Sequence, residues 1–399
     1  MRGYFRYITI LTLLMSSHTL ASQNNSKVDS LTNPGLFNIQ PLPFVAVNPA
    51  YGVLFGLSLA SSFTFPSNEE TKISNAVLTS DYTTKNQLMF NLKSNVFTPG
   101  NKWILNGDWR FYISSQPTYG LGIGYSKDTE NSLFGREQPM EFDLLRFHQT
   151  VSHNIYKNLF IGFGVYYDRY TNIFDQALNL DGDQPLYTSH YLYNTAKGFD
   201  LQDYESMAFG LSLIHESRDI PTNAYSGWYG NITYKFYPGG LGNTYSAGLL
   251  NLDFRDYIKL DRKRNSILAL WFLGSFTTYG KLPYMNLMAL GWDQKGTSGR
   301  GYKQGRFRGE NYMYTEAEYR IPVKIDKQHP DRYGFVAFVN LSTASSSIDQ
   351  IPLFEKFAPG YGAGFRIMLK KLTRSNITID YGRGSDGTGN VYINFYENF

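Results

Sequence analysis

From about residue 50 to its last residue the chain alternates apolar and polar side chains, segment after segment. No run of 18 uninterrupted apolar residues occurs in it. In "SNITIDYG", Ile377, Ile379 and Tyr381 share one side, and Asn376, Thr378 and Asp380 share the other. "LNLDFRDY" sets Leu250, Leu252 and Phe254 against Asn251, Asp253 and Arg255. "NVYINFYENF" puts Val391, Ile393, Phe395 and Phe399 on one face. A period of two is the signature of strands with one apolar and one polar face, because successive strand side chains point to opposite sides. About sixteen such runs can be counted, most close to the 9–11 residues of a tilted membrane-spanning strand. They begin near residues 51, 73, 86, 102, 118, 141, 158, 204, 225, 245, 265, 311, 332, 360, 375 and 390.

The connections sort by length. "TTK", "SSQP", "NIYK", "DRKR" and "KKLT" are short and fall at one end of the strands. Residues 128–140, 172–203, 278–310 and 342–358 are long and fall at the other. Short turns on one side and long loops on the other predict an all-β fold, a transmembrane antiparallel β-barrel of about 16 strands. Composition agrees. Aromatics are 17% of residues, including 32 Tyr and 29 Phe, yet mean hydropathy is −0.33. Rings at a membrane boundary with polar groups elsewhere produce that combination. A net charge of +4 is too mild to predict a nucleic-acid partner. The absence of cysteine removes disulfides and thiolate sites.

"MRGYFRYITILTLLMSSHTLASQ" carries Arg2 and Arg6, an apolar core from Ile8 to Met15, and small residues to Ala21. This reads as a secretory signal over residues 1–21, its core too short to span a bilayer. Residues 22–48, polar and then punctuated by proline, read as a periplasmic leader and barrel entry, and 49–399 as the barrel. The expected location is the cell outer membrane.

One stretch does not alternate. "SGRGYKQGRFRG" (298–309) places Arg300, Lys303, Arg306 and Arg308 among glycines, inside the long connection 278–310. With "AEYRIP" (317–322), "ESRDIPTNAYSGWY" (216–229), "GYGAGFR" and "ITIDYG", it resembles the BamA/TamA, or bacterial surface antigen, family of outer-membrane barrels. The similarity covers most of residues 45–399. It implies sixteen strands and a loop that folds back into the lumen, its Arg-Gly-aromatic tip here Arg300, Gly301 and Tyr302. It also implies that an inward acid, here Glu318, clamps the loop arginine. Alternation independently turns Glu316, Glu318 and Arg320 to the polar side. The second inward acid the family places on the next strand is Asn340 here, which predicts a weaker clamp. A last strand ending in Phe395 and Phe399 resembles the insertion signal of such barrels, whose own assembly machinery would then be a partner.

Family members that handle client proteins carry periplasmic α/β (POTRA) modules, and none is expected here. The residues and the resemblance together predict protein or lipid assembly or translocation at the outer membrane, in contact with its lipid and with a separate periplasmic partner. A passive small-solute channel and a surface-exposed binding or adhesion barrel remain as alternatives. No catalytic motif, metal site or cofactor is expected. His148 and His153 point to opposite faces, and Asp181 and Asp183 fall short of a calcium ligand set. His190, beside Ser189 in the loop 172–203, reads as ordinary loop polarity.

Overall fold

The computed structural model describes residue 35 and residues 37–399, apart from 49–51, 68–69, 125–131, 182–183, 262–265, 326–331, 372 and 395. The signal segment 1–21 and Phe395 therefore lie outside the described residues. Sixteen strands form one sheet in strict sequence order, every neighbouring pair antiparallel. The first eight are β1 (Phe37–Asn48), β2 (Gly52–Phe63), β3 (Ser74–Thr83), β4 (Leu88–Phe97), β5 (Trp103–Ser115), β6 (Met140–Tyr156), β7 (Leu159–Asp175) and β8 (Tyr204–Glu216). The second eight are β9 (Gly227–Tyr237), β10 (Ala247–Asp261), β11 (Ser266–Gly280), β12 (Asn311–Val323), β13 (Tyr333–Ala344), β14 (Ala358–Lys370), β15 (Ser375–Gly384) and β16 (Gly389–Asn394). One α-helix, α1 (Ser189–Lys197), sits in the connection from β7 to β8. Thr188 caps its start, its hydroxyl accepting from the Tyr191 amide at 3.2 Å.

Alternation sorts the side chains onto two faces. Trp109, Phe111, Phe147, Ile161, Leu213 and Val339 are exposed on the outer one. Asp108, Arg110, Arg146, Asp168, Glu318 and Asp380 are buried on the other. In a sheet curled into a barrel the polar face is the inner one, and the apolar belt meets lipid. Two apolar clusters lie inside, one around Tyr170, Tyr204 and Tyr284, the other around Trp271, Tyr312 and Tyr314.

Two departures from the sequence reading cancel in the strand count. Residues 37–48, read as part of a leader, are β1, paired with β2 from Phe37–Phe63 to Asn48–Gly52. Pro41 and Pro43 hid it, since proline argues against a strand except at an edge, and β1 is an edge of the sheet. The run beginning near 118 is not a strand. Its "YGLGIG" alternates, but Gly122 has φ of 81°. The segment turns inward instead, its Gly122 amide donating to the Arg308 carbonyl at 2.8 Å. The shift inverts the first four strands of the sequence reading. "TTK" consequently lies at the same end as the long loops, and "SSQP" leads into the long connection 116–139. The remaining long connections, 176–203, 281–310 and 345–357, share that end.

Among the described residues, one turn crosses the opposite mouth. Residues 217–226, between β8 and β9, reach the β14–β15 turn. There the Thr222 hydroxyl donates to the Thr373 carbonyl at 2.9 Å, and Arg374 pairs with Asp219 at 2.7 Å. On the other side Lys72 donates to the Arg218 carbonyl at 2.5 Å.

Candidate functional site

The site is the segment 297–302 set against the inner face of β12 to β16. Pleating puts Glu316, Glu318 and Arg320 on one side of β12, and the structure buries all three. Arg300 comes down onto them with only 1% of its surface exposed. Its Nη2 donates to Glu316 at 2.5 Å and also to Glu318. Its Nη1 donates to Asp380 on β15 at 2.7 Å. The guanidinium lies 3.6 Å over the Phe338 ring of β13. Three carboxylates thus converge on one cation, and Arg320 and Arg366 share the load. Arg320 donates to Glu318 at 2.7 Å and Arg366 to Asp380 at 2.5 Å. A cation so thoroughly desolvated is tolerable only because three carboxylates pair with its Nη1 and Nη2, although its buried Nε has no hydrogen-bond partner.

The tip needs its glycine. Gly301 has φ of 109°, and a Cβ there would lie 2.8 Å from the Arg383 backbone. From the wall side, a Cβ on Gly382 would stand 2.6 Å from the Gly301 nitrogen. Glycine faces glycine where two backbones meet. Tyr302 is buried beyond them, its hydroxyl donating to the Pro359 carbonyl at 2.5 Å and its ring 4.9 Å from that of Phe307. Asn340 reaches Arg300 too, but donates at 2.9 Å to its backbone carbonyl rather than facing its guanidinium. A further carboxylate, which the sequence reading did not assign, reaches the guanidinium from Asp380 on β15.

The same connection is held at a second place, against β5 and β6. The Trp292 ring lies 5.7 Å from the Arg110 guanidinium and 5.8 Å from that of Arg146. Arg110 is locked by Asp108 at 2.7 Å, and Arg146 by Asp168 at 2.5 Å. Lys93 of β4 donates to the Lys295 carbonyl at 3.0 Å. Arg308 gathers the neck of the loop, donating at 3.0 Å to the Leu287 carbonyl and at 3.1 Å to that of Tyr284. Trp292→Ala should remove both cation–π contacts and cost on the order of 2 kcal/mol. A lowered thermal midpoint in detergent, followed by circular dichroism, checks this.

Rim contacts are more exposed. Lys303 pairs with Glu137 at 2.6 Å, and Arg306 with Asp386 at 3.0 Å. The Lys303 hydrogen bond, against a smaller opposing effect of burial, holds the Glu137 carboxyl below its ordinary 4.5. A depressed carboxyl pKa stabilises the contact above the ordinary value and releases it as pH falls through the lower, folded one. A nitroxide attached at Arg136→Cys should therefore become more mobile on acidification below about pH 4.5. The acid-induced change should vanish in Lys303→Gln. Two exposed partners make this a small effect.

The Omp85 superfamily domain matches residues 54–391. The chain belongs to the Omp85 superfamily. Among solved structures it resembles BamA from Haemophilus ducreyi lacking POTRA domains 1–3, with 13% identity and a TM-score of 0.53. That match covers 91% of this chain and 69% of the other. It also resembles CdiB from Acinetobacter baumannii, with 14% identity and a TM-score of 0.53, covering 93% of this chain and 61% of the other. Identities this low speak for the fold alone, which is the sixteen-stranded outer-membrane barrel. No curated protein matches.

Within this Omp85 barrel the structure brings Arg300, Gly301, Tyr302, Glu318 and Asn340 together, and adds Glu316 and Asp380. Alternation had already put those two on the polar side, and nothing in the sequence pairs them with Arg300. Phe399 is a clearer miss. β16 ends at Asn394 and residues 396–399 lie outside the sheet, so Phe399 is not on the outer face with Val391 and Ile393. It is buried inside, its ring 5.2 Å from that of Trp271 and 6.2 Å from that of Tyr257. Glu397 and Asn398 turn inward with it, onto Arg366 at 2.8 Å and Glu316 at 2.9 Å. Among the described residues no cluster suited to a metal ion occurs. His190 is buried, hydrogen-bonded to Asp175 at 2.8 Å and to Asn194 at 2.9 Å, which fixes α1 to the barrel. Asp183 lies outside the described residues.

Proposed function

We propose that this Omp85 barrel serves the assembly or translocation of proteins or lipids at the outer membrane. In this reading the connection 281–310 is held in the lumen by Arg300, and a separate periplasmic protein supplies client handling. The observation that carries it is the Arg300 guanidinium, buried among Glu316, Glu318 and Asp380. A loop fastened at Trp292 to one wall and at Arg300 to another obstructs the route an open solute channel needs. The turn 217–226 obstructs the periplasmic mouth. Among the described residues β1 and β16 share no ladder. Backbone edges left unpaired in hydrocarbon are costly, so this seam is where a further strand is most readily accepted.

The protein reaches the membrane through its signal segment and the cell's barrel assembly machinery, for which the inward-turned end of the chain supplies part of the signal. Planar-bilayer recording of the purified protein tests the reading. Wild-type conductance should be low, with brief openings. A steady, large current that Arg300→Glu leaves unchanged would establish a passive channel instead. Extraction of the protein from membranes by carbonate would remove the barrel from the bilayer altogether.

A further inference from the structure

The loop's tip is bonded not only to the wall at β12 and β15 but also to the last strand and to the residues flanking it on both sides. At the loop end of β16 the Thr388 hydroxyl donates to the Gly301 carbonyl at 2.7 Å. Midway, the Tyr392 hydroxyl accepts from the Gly301 amide at 2.9 Å and donates to the Tyr302 carbonyl at 3.0 Å. Beyond its end, the Thr297 hydroxyl donates to the Asn398 carbonyl at 2.7 Å. The two elements also meet at one atom. Glu316 Oε1 accepts from Arg300 at 2.5 Å and from the Asn398 side chain at 2.9 Å. β16 spans only Gly389–Asn394, and its ladder to β15 runs from Thr378–Asn394 to Arg383–Gly389. So short a strand, at an edge of the sheet, has few backbone bonds to keep it in place.

We infer that residues 297–302 form an internal clasp that positions β16 and its inward tail, with Tyr392, Thr388 and Thr297 as positioning residues and Glu316 as the shared acceptor. Loosening the tip frees the last strand, and loosening the last strand frees the tip. The coupling is reciprocal because the same bonds are counted from both sides. Arg300 therefore governs one side of the β1–β16 seam without touching either strand's outer edge. The inference rests on the clamped loop proposed above, but it concerns strand order rather than passage through the lumen.

Hydrogen exchange read by mass spectrometry on the full chain in detergent micelles tests it. Tyr392→Phe removes one hydroxyl from β16 and should speed exchange in the loop segment 297–302 by roughly three- to tenfold. Thr297→Val removes one hydroxyl from the loop and should speed exchange in 389–399 by a similar factor. Segment 140–175, across the barrel, serves as the control and should not change in either variant. Thr297→Ser, which keeps the hydroxyl, should behave as wild type. Changes confined to the mutated element, or an equal rise in 140–175, would overturn the clasp. Both variants keep every charge, so they should fold even where Arg300→Glu does not. If Arg300→Glu loosens 297–302 and 389–399 together yet leaves conductance unchanged, the clasp stands and the plugged lumen falls. If it raises conductance with 389–399 still protected, the reverse holds.

Discussion

Arg300→Glu should release the loop, raise single-channel conductance and expose the chain near Lys303 to protease. The substitution takes away the cation on which Glu316, Glu318 and Asp380 converge and puts a fourth carboxylate in its place. Arg300 and Glu318 have side chains 1% and 0% exposed. The relevant scale is therefore the roughly 3–5 kcal/mol of a broken buried pair, not the 1 kcal/mol or less of a solvated one. A loss of that size is a large part of the stability of an ordinary domain. Adding Glu318→Arg should recover only part of it. Glu318 is also the partner of Arg320 at 2.6 Å, so an arginine there meets a like charge even as it answers the new glutamate. A double variant no better than either single one would deny the pairing. An Arg300→Glu protein with unaltered conductance and digestion pattern would show that 298–309 is an ordinary surface loop.

Deleting Val391–Phe399 should abolish insertion. It removes most of β16, which widens the seam with β1 by a strand and leaves the longer edge of β15 in hydrocarbon with amides and carbonyls that no water can satisfy. It also strips the inner wall. Arg366 loses Glu397, and the rings of Trp271 and Tyr257 lose Phe399. The expected result is a chain whose gel migration is the same with and without boiling, and which protease degrades completely. A truncated protein that inserts and resists protease would mean that the last strand is not needed to complete the barrel. The smaller change Phe399→Ala separates the two contributions. It spares the ladder, so a fall in inserted yield reports on the signal at the chain's end, while loss of a buried ring lowers thermal stability by about 3 kcal/mol.

Strand type, the apolar belt and the polar inner face were legible in the residues, because pleating is local. Whether residue i points in or out follows from its neighbours at i ± 1, wherever the strand sits in the sheet. Glu316, Glu318 and Asp380 could therefore be placed on the polar side without coordinates. β1 could not, because its prolines carry the mark of a non-strand except at an edge, and being an edge is a property of the finished sheet. The run at 118 failed for the opposite reason. Its alternation is real, but the left-handed conformation of Gly122 and the carbonyl of Arg308 carry it inward.

The chemistry of the site divides the same way. A basic, glycine-rich tip was visible as composition and Glu318 on the polar side as alternation, while their pairing was implied by the family resemblance. That Asp380 is the third carboxylate on Arg300 was not, since the two lie 80 residues apart and meet only because curvature carries β15 round to the loop. The fate of Phe399 was undetermined for a related reason. Its alternation with Val391 and Ile393 predicts an outer-face ring, and that rule holds only while the chain stays in the ladder. Past Asn394 it leaves the ladder. Its direction is then decided by Arg366, Glu316 and Trp271, groups contributed by β14, β12 and β11, which only the curled sheet assembles.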